Sequence, residues 1–104
     1  MSEFSYGWEK LHMAVHSLAG EASQRQRLVE AIVHNLIHIN AERDIPPGMR
    51  EQFESFMAEM TAVEPKGDEG SVQATVSSLD DIGVSRAIDR IISFYDTVCR
   101  HKKP

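Results

Sequence analysis

The last quarter of the chain constrains the fold most. From about residue 79 onward, Val84, Ala87, Ile88, Ile91, Tyr95 and Val98 recur at spacings of three and four, with Ile92 and Cys99 on the edge of the stripe. This is the repeat of one helix face, sustained over about twenty residues. Its apolar face is wide enough to meet two neighbours, so the rest of the chain has to supply surface that fits a long helix. Ser78, with Asp81 three residues later, predicts a capping box at its start, Asp standing in for the usual Glu or Gln.

Punctuation upstream divides the remainder. Gly20, Pro46-Pro47-Gly48 and the run from Glu64 to Gly70 separate segments that again carry helical spacing. In 5–19, Trp8, Leu11, Val15 and Leu18 make one narrow stripe, widened by Ala14. In 23–41, behind a Ser23 N-cap, Leu28, Ile32, Leu36 and Ile39 make one stripe and Val29, Val33 and Ile37 a second. Together they cover about half the circumference at 100° per residue. A helix with that much apolar surface is either central in its domain or also faces a second subunit. In 47–63, with proline at the first helical turn, Met49, Phe53, Phe56, Met60 and Val63 form the cleanest stripe, with Met57 beside it.

Two stretches are less regular. The acidic run 64–70 reads as a surface loop, and its acids lack the spacing of an EF-hand. Residues 71–77 alternate like a strand at Val72, Ala74 and Val76, yet Val72, Val76 and Leu79 also share one helical face. A lone strand would have no partner, so an extra short helix is the expectation. The expected fold is all-α, a single domain over 1–104. Its short loops favour an antiparallel four-helix bundle. The expected core is Trp8, Leu11, Val15, Leu18, Leu28, Ile32, Leu36, Ile39, Phe53, Phe56, Met60, Ile88, Ile91 and Tyr95.

Composition narrows the function classes. The chain of 104 residues has a single cysteine and a net charge of −5. One cysteine builds no internal disulfide and no multi-cysteine metal site, and no basic, apolar leader opens the sequence. A cytoplasmic protein is the expectation. No run approaches the ~20 apolar residues of a membrane span. The negative charge argues against nucleic acid as a partner. The one basic run, Arg100-His101-Lys102-Lys103, sits where a helix C-terminus favours cations.

Four of the five histidines fall in i, i+4 pairs, His12 with His16 and His34 with His38. Such spacing puts two imidazoles on one helix face, a metal-ligand arrangement. Glu9 and Glu30 stand about one turn ahead of each pair. Against a buried site, His34 and His38 lie roughly opposite the Leu28–Ile32–Ile39 stripe. Neither segment carries the inward Glu-x-x-His of di-iron bundles. Solvated polar faces are therefore the expectation, with His12, His16, His34 and His38 as the candidate metal ligands.

Arg27 and His34 are separated by six residues, with Glu30 between them on the same face. This Arg-x6-His spacing resembles the catalytic motif of the HEPN ribonucleases, small all-α domains whose active cleft forms across a dimer. The resemblance covers these eight residues, and Leu28 stands where that family has a polar residue. It implies RNA cleavage, with Arg27 and His34 on the scissile phosphate and Arg27, Glu30 and His34 as candidate catalytic residues.

Cys99 lies near the end of a helix, where the dipole has the wrong sign to stabilise a thiolate, so apolar packing is its expected role. Met13, Met49, Met57 and Met60 read as core at helical spacing. No phosphate loop, nucleotide fingerprint or nucleophile elbow is present, and no cofactor is expected. The expectation is a small cytoplasmic helical protein acting by protein–protein interaction as a homodimer and not by catalysis. The alternative is metal binding or HEPN-like cleavage by the Arg27, Glu30, His34 and His38 face.

Overall fold

In the computed structural model, which describes residues 4–101, the chain is all-helical. The helices are α1 (Ser5–Leu18), α2 (Gln24–His34), α3 (Ala41–Asp44), α4 (Arg50–Met60), α5 (Gly70–Ser78) and α6 (Asp81–His101). Short 3-10 turns over Leu36–His38 and Pro47–Met49 precede α3 and α4. None of the described helices is long and apolar enough to cross a membrane.

Residues 71–77 lie within α5, so the helical reading of that stretch holds. Gly70 opens α5 with φ of 83°, a left-handed conformation that favours glycine. The segment 23–41, in contrast, is not one helix. Ser23 caps it as expected, its Oγ accepting from Gln26 N at 3.2 Å. The helix then stops at His34, because Asn35 leaves the helical region at φ −130°, ψ −64°. Asn40 starts α3 by accepting from Arg43 N at 3.0 Å. Both asparagines offer local side-chain bonds that compete with a continuous helix. The capping box also differs from expectation. Ser78 Oγ turns back to donate to Thr75 O, while Asp80 Oδ1 accepts from Gly83 N at 2.7 Å and caps α6.

Part of the width of the α2 stripe is used inside the chain. Leu28, Val29, Ala31 and Ile32 are buried, and α2 packs on α1, α5 and α6. In an in-register antiparallel hairpin the end of α2 would lie level with the first turns of α1, at 1.5 Å per residue. Instead Asn35 Nδ2 donates to Ser17 Oγ at 3.5 Å, so α2 is inclined or offset against α1. The helices α4 and α6 run antiparallel: Glu59 meets Arg90, while Phe53, earlier on α4, meets Phe94, later on α6.

Eight of the fourteen expected core residues are buried: Leu11, Leu28, Ile32, Leu36, Phe53, Phe56, Met60 and Ile91. Trp8, Leu18, Ile39, Ile88 and Tyr95 pack against them half-buried. Val15 is half-buried and outside that cluster. The core also takes Ile45, Met49, Val72, Val76, Val84, Phe94 and Val98. On α6 it is Phe94, and not its neighbour Tyr95, that goes deep, set edge-on against Phe53 and Phe56 at 5.6 and 5.5 Å. Of the methionines, Met49 and Met60 are core, Met57 is half-buried and Met13 is exposed.

Candidate functional site

The polar residues of α2 face separate tasks. Arg27 Nη1 donates to Gly20 O at 3.2 Å and Ala22 O at 2.9 Å, which ties down the α1–α2 connection. Arg27 Nε is buried without a hydrogen-bond partner. Glu30 accepts from Gln26 Nε2 at 3.3 Å. His34 ends α2 and His38 ends the 3-10 turn, both exposed. Among the described residues no hydrogen bond or ion pair joins Arg27, Glu30 and His34 to one another. The break at Asn35 also removes the single helix face that the His34–His38 spacing assumes.

The other histidine pair is brought together. The His12 and His16 rings lie edge-on with centroids 4.6 Å apart. His12 also stacks on Trp8, at 4.8 Å and 14° between planes. Its Nδ1 shares a hydrogen bond with the Tyr95 hydroxyl of α6 at 3.2 Å. A hydrogen bond to the Cys99 side chain, together with burial, raises the Tyr95 hydroxyl above the ordinary tyrosine range. The cluster Trp8–His12–Tyr95–Cys99 thus joins α1 to α6. Among the described residues, no group of three or more His, Cys, Asp or Glu side chains is placed to hold a metal ion.

Sequence reasoning missed the role of several arginines. Arg25 Nη1 donates to Val76 O and Leu79 O at 2.8 and 2.7 Å, closing the end of α5, and its Nη2 meets Asp81. Arg50 Nε donates to Ala41 O and Ile45 O at 3.0 and 2.8 Å, closing α3. Carbonyls at helix ends lack intrahelical partners. That rule marks such arginines as needed but not which carbonyl each will reach.

Among the described residues the large apolar side chains left exposed are spread over the molecule, Ile82 on α6 being the most exposed, and two of them stand at the α2–α3 connection. Ile37 is 51% exposed and Val33, one turn earlier, is 39% exposed. Ile37 stands at the edge of a groove of about 320 Å³ that it lines together with Leu36, Ile39, Ala41, Phe53 and Met57, with Glu54 as its one charged wall residue. A larger open groove of about 650 Å³ lies between α4 and α6, with Phe94 and Met49 among polar side chains such as Gln52, Ser55 and Arg90. Comparison with protein-family models, with curated proteins and with solved structures finds no match.

Proposed function

We propose that this chain acts by protein–protein interaction as a homodimer, without catalysis, through the surface around Ile37. The observation that carries it is the side-by-side arrangement of a protruding apolar residue and an apolar groove. Such a patch is self-complementary: a two-fold axis near Ile37 would seat each Ile37 in the other copy's groove. The antiparallel four-helix bundle of α1, α2, α4 and α6 is part of the same proposal. The antiparallel run of α4 and α6 supports it, and the inclination of α2 is the feature it must accommodate. A cytoplasmic location belongs to it as well, resting on the single cysteine.

The alternative, metal binding or RNA cleavage by the Arg27, Glu30, His34 and His38 face, is the weaker reading because Arg27 already serves two backbone carbonyls. Sedimentation equilibrium over a range of concentrations tests the dimer. The wild type is expected at twice the chain mass and Ile37→Asp at the chain mass. A wild type that stays at the chain mass at every concentration overturns the proposal.

A further inference from the structure

Of the arginines among the described residues, Arg86 alone makes no hydrogen bond or ion pair. Arg25, Arg43, Arg90 and Arg100 pair with Asp81, Asp44, Glu59 and Asp96. Arg27 and Arg50 are spent on backbone carbonyls. Arg86 is exposed on α6, one turn before Arg90, and both line a pocket of about 420 Å³ where α4, α5 and α6 meet. That volume falls in the range of small-molecule sites, ~300–1,000 Å³.

The walls are apolar: Met60 from α4, Val63 beyond it, Leu79 after α5 and Ala87 from α6. Two hydroxyls also line the pocket, and both are committed. Thr75 Oγ1 donates to Ser71 O at 2.7 Å and accepts from Val63 N at 3.0 Å. Ser78 Oγ donates to Thr75 O at 2.6 Å. Glu59 and Arg90 line the pocket too and are bonded to each other, so the charged side chain of the lining that is left without a hydrogen bond or ion pair is Arg86, at the rim.

The rim charge is unbalanced. Arg86 and Arg90 stand at i, i+4, where like charges repel. Glu59 accepts from Arg90 Nη2 at 2.9 Å and offsets one of the two. On a chain of net charge −5, this one edge carries an uncompensated cation above an apolar hollow. A guanidinium offers two parallel N–H donors, the geometry that grips a two-oxygen anionic head.

We propose that this pocket binds a short alkyl chain ending in an anionic head, a carboxylate or a phosphate. The tail lies on Met60, Val63, Leu79 and Ala87. The head meets Arg86, while Arg90, held by Glu59, flanks it. The site is remote in sequence from Ile37 and stands or falls independently of the dimer.

The test titrates the full chain with octanoate, octyl phosphate, octanol and acetate, read by calorimetry and by amide chemical shifts. Octanoate or octyl phosphate is expected to bind saturably and shift Val63, Arg86 and Ala87, and the tighter of the two identifies the head group. Octanol lacks the charge and acetate lacks the chain, so each is expected to bind at least about tenfold more weakly, the scale of a lost charge-assisted contact. Arg86→Gln is expected to weaken binding about tenfold with an unchanged melting temperature, because the side chain is exposed and unpaired. Ala62→Phe, at an exposed position on the pocket wall, is expected to block the tail and leave the head's partners in place. Absence of saturable binding by both amphiphiles, octanol binding as tightly as octanoate, or undiminished binding by Arg86→Gln would each overturn the proposal.

Discussion

The backbone carbonyl of Asp44 lies against the α-carbon of Gly7, leaving no room there for a β-carbon. Gly7 sits inside α1, where Ala is ordinarily about 1 kcal/mol better than Gly. The clash opposes that gain, and its partner is backbone that no rotamer change can move aside. Asp44 is itself fixed: it is buried, and its carboxylate accepts from Asn40 N at 2.8 Å and from Arg43 Nε at 3.1 Å. Overpacking of this kind costs about 1–3 kcal/mol. Gly7→Ala is therefore expected to lower stability in urea denaturation. A gain in stability would mean that α1 and α3 do not approach so closely.

Arg27→Ala and His34→Ala are expected to part company. Arg27 makes two charge-assisted bonds to carbonyls while partly solvated, so its loss should cost about 1–2 kcal/mol. His34 is exposed, and among the described residues its side chain makes no hydrogen bond or ion pair, so its loss should stay within about 0.5 kcal/mol. Melting curves read the difference. Both variants retaining full stability while losing an RNA-cleaving activity present in the wild type would instead mark the pair as catalytic.

How far this was legible in the sequence depends on what each feature rests on. The long helix at the end was legible because Val84, Ala87, Ile91 and Val98 repeat at helical spacing and all of them are buried. The break at Asn35 was hidden because Leu36 and Ile39 continue the α2 stripe in number while the backbone has already left the helix. Histidine spacing within one helix was readable. That His12 meets Tyr95 from a helix 83 positions away was not, since it depends on how α1 and α6 cross. Arg86 was invisible for the opposite reason: being unpaired is a property of everything around it.

Phe94 was absent from the expected core and Tyr95 was included, yet the aromatic contacts reverse their weights. Phe94→Ala removes a ring that touches both Phe53 and Phe56 and should cost about 3–5 kcal/mol. Tyr95→Phe keeps the ring and loses only the hydroxyl, with its bonds to His12 and Cys99, for about 0.5–1.5 kcal/mol. Equal losses in the two variants would show that the stripe follows Tyr95 after all.

The Glu59–Arg90 pair predicts a small acid dependence. Its hydrogen bond to Arg90 holds the Glu59 carboxyl below the usual range. A lowered value means the contribution is complete above the ordinary glutamate range and is lost as pH falls through the lower folded value. Both side chains are well exposed, at 40% and 59%, so the pair is worth about 0.5 kcal/mol at most. Glu59→Gln should differ from the wild type by that amount at neutral pH. The two should converge once acid has protonated Glu59.

Tyr95 predicts the alkaline counterpart, with the opposite sign. Its hydrogen bond with Cys99, and then burial, keep the hydroxyl protonated above the ordinary tyrosine value. A raised value means the stabilisation is complete below about pH 10 and is lost as pH rises through the higher folded value. The chain has two tyrosines, so Tyr6→Phe leaves Tyr95 as the sole source of phenolate absorbance. In that background, titration should place Tyr95 above free tyrosine, and Cys99→Ala should bring it down. If Cys99→Ala leaves the midpoint in place, burial carries the shift and the Tyr95–Cys99 bond does not.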